Sequence, residues 1–284
     1  MLGCARGDAA ARADAADAAV PTHPPRPATR RRRPGARAPP RLTGGDDAQR
    51  RFFERAAGRY DARFLRERWP RNQEVKARFV DAALGLEDGL VVELGCGTGQ
   101  IAAALLRRRP RLRYVGADLS PSMLALARRR LRAFGERVRL EEARATRLPV
   151  ESQAADAAFG VDVLHHVEDP AAALAELRRA LKPGAPAVFL EGNPLFPVTA
   201  LIGVLQREER GLLRLRPRTL RAWFEHAGFV DVRVDLAPLF TPPGPPPLVP
   251  LFDRLDRVLP RVPAARHLAL FLRAYGRAGR GATH

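Results

Sequence analysis

The chain has 284 residues, 46% of them hydrophobic and 28% charged, with a formal net charge of +18 from 49 basic and 31 acidic side chains. This is globular composition, which excludes collagenous, fibrous and wholly disordered classes. Two cysteines, Cys4 and Cys96, exclude a disulfide framework and point to a reducing, cytoplasmic compartment. Every basic residue except Lys76 and Lys182 is arginine. The excess therefore reads mainly as genome composition, because a nucleic-acid surface draws on both cations.

Residues 1–45 stand apart. Prolines at 21, 24, 25, 27, 34, 39 and 40 surround the run Arg30 to Arg33, with no periodic apolar face. Such a segment buries too little surface to offset its conformational entropy, so a disordered tail is expected. The apolar stretch of a secretory signal is missing after Met1, and Asp8, Asp14 and Asp17 oppose a transit peptide. Residues 1–50 carry ten arginines and five aspartates, a net +5, which leaves +13 to the remainder. The tail does not explain the charge.

From Asp47 onward the apolar spacing becomes helical: Phe52, Phe53, Ala56, Ala57 and Tyr60, then Val75, Phe79, Ala82 and Ala83. Strands and helices then alternate. Strands are predicted at 89–94, 112–117, 138–141, 155–161 and 187–191. Helices are predicted at 101–108, at 121–134 with Ser120 as N-cap and Pro121 at N1, and at 170–181, closed by Lys182-Pro183-Gly184. Apolar strands alternating with helices imply an α/β fold with a doubly wound, mostly parallel sheet, whose ligands bind at the carboxyl ends of the strands. Beyond it, 195–206 is apolar, 219–227 is an amphipathic helix and 230–236 a strand. Residues 240–250 hold six prolines, and 251–274 read as one or two basic amphipathic helices. The expected organisation is a tail at 1–45, a main domain at 46–240 and a proline-rich linker with C-terminal helices at 241–284. The stretch Pro194 to Leu205 is far short of the ~20 residues a membrane span needs.

The densest signal is Val91-Val92-Glu93-Leu94-Gly95-Cys96-Gly97-Thr98-Gly99-Gln100, where a strand enters three glycines at alternate positions and a helix follows. Gly95 and Gly97 permit positive φ and leave room for a ligand against the backbone. Asp118 ends the second strand, 19 residues after Gly99, where a carboxylate can accept both hydroxyls of a ribose. Together they imply an adenosine ligand. The nearest rival is a dinucleotide site, but that needs Gly-x-Gly-x-x-Gly and a phosphate at the helix N-terminus. Here the third glycine is one residue early and Glu93 would repel a phosphate.

These residues resemble the class I S-adenosylmethionine-dependent methyltransferases of the broad small-molecule group, over roughly residues 50–235. The resemblance implies S-adenosyl-L-methionine as cofactor. Its methionine part would lie on Glu93, Gly95, Cys96, Gly97 and Gly99, its ribose on Asp118, and its adenine against Leu119, Met123, Ala145 and Val161. Leu148-Pro149, Asp156, Leu164-His165-His166-Val167 and Leu181-Lys182-Pro183-Gly184 extend the match. Two positions depart from the family: Ala143-Arg144-Ala145 replaces Gly-Asp-Ala, placing Arg144 where an adenine-binding acid usually stands, and Ala155 replaces an aromatic.

The catalytic expectations are fewer. His165 and His166 follow the fourth strand, and either is a candidate base for a hydroxyl or amine, or a structural cap common to members with unrelated acceptors. Tyr60 is a candidate lid residue on the N-terminal helix. Asp162 is a candidate for a cationic amine or a solvated loop acid. Cys96 is expected to be buried and inert, and no metal site is expected, since no His or Cys pair shows ligand spacing. The C-terminal helices either touch a membrane surface peripherally or cover a sheet edge. A small-molecule or lipid-like acceptor is the leading expectation, with an RNA methyltransferase or a non-catalytic scaffold as alternatives. Nucleic acid is disfavoured because aromatics are only 6% and a separate RNA-binding module is missing.

Overall fold

The computed structural model describes residues 46–65, 70–237, 247, 249–258, 261–262 and 269–280. The expected tail at 1–45 lies outside them. Two helices come first, α1 (Asp46–Leu65) and α2 (Pro70–Leu84). The alternating body follows as β1 (Asp88–Leu94), α3 (Gln100–Arg108), β2 (Arg111–Asp118), α4 (Pro121–Leu131), β3 (Val138–Glu142), β4 (Ala157–Val161), α5 (Pro170–Ala180) and β5 (Pro186–Gly192). The chain ends with α6 (Pro197–Leu205), α7 (Pro217–His226), β6 (Phe229–Ala237), α8 (Val249–Val258) and β7 (Phe271–Ala278). Three short 3-10 segments lie at Arg132–Arg137, Leu164–His166 and Arg207–Arg214.

Local chemistry sets several boundaries as expected. Ser120 accepts the Met123 N–H through its side chain and Pro121 occupies the first turn of α4; Asp169 caps α5 in the same way, with Pro170 following. The seven strands lie in the order β3-β2-β1-β4-β5-β7-β6. β1 through β5 pair in parallel, and β7 is antiparallel to both β5 and β6. Strand order reverses between β1 and β4, so the binding crevice of such a sheet falls at their carboxyl ends. One face of the sheet packs Leu174, Leu177, Trp223 and Phe224 from α5 and α7. The other packs Val80, Ile101, Leu105 and Leu124 from α2, α3 and α4.

One sequence expectation is corrected. The helical reading of 251–274 holds for α8, but Phe271–Ala278 is a strand inserted between β5 and β6. Its burial alternates, with Leu272, Ala274, Gly276 and Ala278 inward and Arg273, Tyr275 and Arg277 partly exposed. That is a two-residue period, which the apolar Ala269 and Phe271 between the leucines at 268, 270 and 272 disguise. Arg273 ties β7 to the edge strand β6 by a two-pronged pair with Asp235, at 2.9 and 2.8 Å. The expected basic helix there is absent, and the C-terminal membrane-facing reading reduces to α8.

Candidate active site

The glycine loop leaves β1 at the switch point. Gly95, Gly97 and Gly99 all take positive φ, 68°, 51° and 74°. A Cβ on Gly95 would clash with the Val163 side chain, because the loop presses against the segment after β4. At Gly97 the same direction is open, leaving that backbone approachable. The loop is tied to β2 by the Gly95 and Cys96 N–H groups, which donate to the Ala117 carbonyl at 2.8 and 3.1 Å. Asp118 completes the tie: Oδ2 accepts the Gly97 N–H at 2.8 Å and Oδ1 accepts the Ser120 N–H at 2.9 Å. Each oxygen keeps a further lone pair for a hydroxyl. Burial raises the Asp118 pKa, opposed by those N–H donors.

Glu93 lies beneath the loop and is almost wholly buried. Its Oε2 accepts the Tyr114 hydroxyl at 2.5 Å. Burial lifts its pKa to about 8; the Tyr114 bond opposes this and the Asp118 charge adds to it. Tyr114 was invisible as a site residue in the sequence. The signal was Gly116, its register partner being Glu93: a Cβ there would sit 2.6 Å from the Tyr114 hydroxyl, so the missing side chain clears the path of the ring. Cys96 is buried and its thiol pKa is pushed well up, first by burial and then by Asp118 and Glu93, which leaves it without thiolate character.

Of the residues that the resemblance assigns to the adenine, Met123 is buried in the first turn of α4 and Leu119 is half-buried. Ala145 packs against the core and Val161 ends β4, paired with Leu190. Arg144 points to α1 instead, 2.8 Å from Asp46 and 3.2 Å from Asp47. Arg50 and Glu142 make a parallel link at 2.9 Å. The position where the family carries an acid is thus an anchor for the N-terminal helix.

Beyond β4 the two histidines part in role. Glu191, fully buried at the end of β5, accepts the Val163 and Leu164 N–H groups through Oε1 at 3.1 and 2.7 Å. Its Oε2 lies 2.6 Å from His165 Nδ1, and Glu209 Oε2 lies 3.2 Å from His165 Nε2. Burial would push the His165 pKa down, but the two carboxylates overcome it and lift it to about 10. At neutral pH His165 is a fixed imidazolium and no base. His166 is the opposite case: burial and the neighbouring His165 charge lower its pKa to about 3. Its Nδ1 has no hydrogen-bond partner among the described residues. It is a neutral imidazole with a buried, unsatisfied ring nitrogen, and a weak base.

His166 packs edge-on against Phe53 of α1 at 5.0 Å, and Phe53 meets Tyr60 at 6.5 Å. Phe53 and Tyr60 are seven residues apart and so share a helix face, which places Tyr60 two turns from the histidine pair. A cavity of about 280 Å³ opens here, lined by Gln49 and Arg55 of α1, His165, His166, Arg207 and Glu208. A larger one, about 450 Å³, lies against Arg178 and Pro183, by the amino ends of the strands and away from these groups. The ligand-type atoms of His165, His166 and Glu209 fall within 4.8 Å of one another. No local spacing announces this grouping, since Glu209 lies 44 residues from His165. Asp162 is not available to a cationic amine: Lys76 Nζ lies 2.5 Å from its Oδ2. Asp156 is structural as well, holding Leu90 N–H and Lys182 at the far end of β4.

Residues 92–189 match the family described as "Methyltransferase domain". A demethylmenaquinone methyltransferase of Thermus thermophilus is 38% identical over 159 residues, covering 55% of this chain and 70% of that one. A ubiquinone biosynthesis O-methyltransferase of Pseudomonas aeruginosa is 30% identical over 207 residues, covering 66% and 84%. Among solved structures, a methyltransferase of Thermotoga maritima, described as a possible histamine N-methyltransferase, superposes with a TM-score of 0.57 at 22% identity, covering 80% of this chain and 99% of that one. That likeness carries the fold alone.

Proposed function

This chain belongs to the class I S-adenosylmethionine-dependent methyltransferases, and from that premise we propose that it methylates a small hydroxylated acceptor of quinone type, held between α1 and the segments 164–166 and 207–214. Bound S-adenosylmethionine supplies an electrophilic methyl group on a sulfonium. The observation that carries the reading is the glycine loop at the β1/β4 switch point, fastened by the Asp118–Gly97 bond with Glu93 beneath it.

In this reading Gly95, Cys96, Gly97 and Gly99 hold the methionine end of the cofactor, and Glu93 faces its cationic groups. Asp118 takes the ribose hydroxyls through its spare lone pairs, while Leu119, Met123, Ala145 and Val161 border the adenine. Arg144 acts through α1 rather than on the adenine. Methyl transfer would be an in-line displacement by the acceptor lone pair, with the electrons of the broken carbon–sulfur bond passing to sulfur. Alignment and exclusion of water supply most of the rate. His166 Nδ1 accepts the acceptor O–H or N–H and so aims the lone pair; the proton leaves to solvent through the cavity. His165 is a positioning residue, because it locks the chain after β4 to Glu191 and Glu209. Phe53 and Tyr60 belong to the lid.

The relatives named for menaquinone and ubiquinone methylation support the quinone-type acceptor. The RNA acceptor and the non-catalytic scaffold gain no such support. Peripheral contact with a membrane surface through the C-terminal helix α8, from a cytoplasmic location, also belongs to this reading. Among the described residues no helix is long and apolar enough to cross a membrane. The test is calorimetric titration with S-adenosylmethionine, followed by labelled-methyl transfer to demethylated quinols and to bulk RNA. Binding plus labelled quinol is expected; no cofactor binding, or label only in RNA, overturns the proposal.

A further inference from the structure

The helix α6 is folded inside out. On a soluble helix the large apolar side chains face the core and small or polar ones face water. Here the buried positions are Thr199 and Gly203, one turn apart. Gly203 is needed there, since a Cβ would come within 2.9 Å of Leu213 on the adjoining 207–214 segment. The outward positions are Val198, Leu201, Val204 and Leu205, with Leu195 just ahead of the helix; Leu201 is 55% exposed and Leu205 71%. The helix contains no charged residue. A continuous exposed apolar face of this kind marks a contact surface.

The surroundings say with what. Arg207, Arg210 and Arg214 follow directly, all exposed, on the segment that packs along α6. Of the two acids there, Glu209 is turned in toward His165 and Glu208 is half-buried. An apolar wedge with a basic rim fits an anionic bilayer interface. A second copy fits badly, because a two-fold contact through the same face would set the arginine rims against each other. Nine residues make a helix about 14 Å long, against ~30 Å of hydrocarbon, so it lies in the interface and does not span.

We propose that α6 and the arginine rim of 207–214 dock this protein on an anionic lipid surface. The same 207–214 segment lines the acceptor cavity through Arg207, Glu208 and Gly211, so docking sets the cavity mouth on the bilayer. That last clause rests on the methyltransferase reading; the docking itself does not.

The test is flotation of the full chain with vesicles of phosphatidylcholine alone or mixed with phosphatidylglycerol, beside the double variant Leu201→Glu/Leu205→Glu. The wild type is expected to float with the anionic vesicles and less as salt rises. The variant should lose partitioning by more than roughly tenfold while its calorimetric S-adenosylmethionine binding stays unchanged. Equal flotation of variant and wild type, or none on either vesicle, overturns the docking surface. So does a wild-type dimer by light scattering that the variant converts to monomer, because the patch is then a self-contact. Loss of cofactor binding in the wild type would instead strike the methyltransferase reading and leave the flotation result standing.

Discussion

The ammonium of Lys76 lies 2.5 Å from Oδ2 of Asp162 and 4.5 Å above the ring of Phe271. Lys76 is 5% exposed. The other lysine of the chain, Lys182, lies 2.6 Å from Asp156. The two lysines therefore bracket β4, one at each end, in a protein that otherwise uses arginine. A compact point charge fits the buried slot where a planar guanidinium does not. Asp162 has φ 53°, unusual for a residue with a side chain, and the pair holds that turn beside the site. Lys76→Met is expected to cost about 2 kcal/mol, less than a fully buried pair because Asp162 is partly exposed. Lys76→Met/Asp162→Asn should recover part of it, and Lys76→Arg should also destabilise. Chemical denaturation checks all three; an Arg variant as stable as the wild type refutes the slot argument.

Breaking the Glu191–His165 pair leaves a buried carboxylate or imidazole uncompensated. His165→Gln should cost about 3–5 kcal/mol at pH 7. The folded-state pKa of about 10 exceeds the ordinary value near 6.5, so this stabilisation is complete below pH 6.5 and is lost as pH rises through 10. Urea denaturation across pH 6–10 should show the gap between wild type and variant closing with rising pH. A constant gap would count against the imidazolium.

His166→Ala should leave cofactor affinity unchanged and lower kcat roughly 10–100-fold through lost alignment, with partial rescue by His166→Gln, which restores an acceptor. With its pKa near 3, His166 itself should add no titration to kcat between pH 5 and 8. An ionisation there that disappears in the alanine variant would reverse this assignment.

Glu93 holds its proton up to about pH 8 in the free protein, and a bound cation favours the ionised carboxylate. Cofactor affinity should therefore rise about tenfold per pH unit below 8 and level off above it, with a proton released on binding at pH 7. Calorimetry in buffers of different ionisation enthalpy measures that proton directly. Glu93→Gln should bind more weakly and lose the pH dependence. A wild type whose affinity is flat from pH 6 to 8 would remove Glu93 from the cofactor.

Arg144→Ala releases α1 from the loop after β3. Because Arg144 is largely exposed, the stability cost should stay within about 1 kcal/mol, while amide exchange in residues 46–55 should quicken. Unchanged exchange would mean that Phe53 and Gln49 hold the helix without it.

Much was legible in the sequence because it is written locally. The glycine loop, Asp118 at its set distance, the Ser120 cap with Pro121 and the alternation of apolar runs fix the α/β body and the candidate cofactor crevice through nearest-neighbour backbone geometry. Long-range packing decided the rest. Whether Phe271–Ala278 is helix or strand depends on the edge of β5 left free for it, since the alternation of Arg273, Tyr275 and Arg277 is too short and too masked by apolar neighbours to decide alone. The division of labour between His165 and His166 depends on Glu191 and Glu209, 26 and 44 residues from His165. Tyr114 reaches Glu93 only because Gly116 lies opposite it in the adjoining strand. The run at 195–206 reads as apolar in either setting; only its seat on Leu213 decides that the leucines face outward, since burial belongs to the assembled surface and not to the residue.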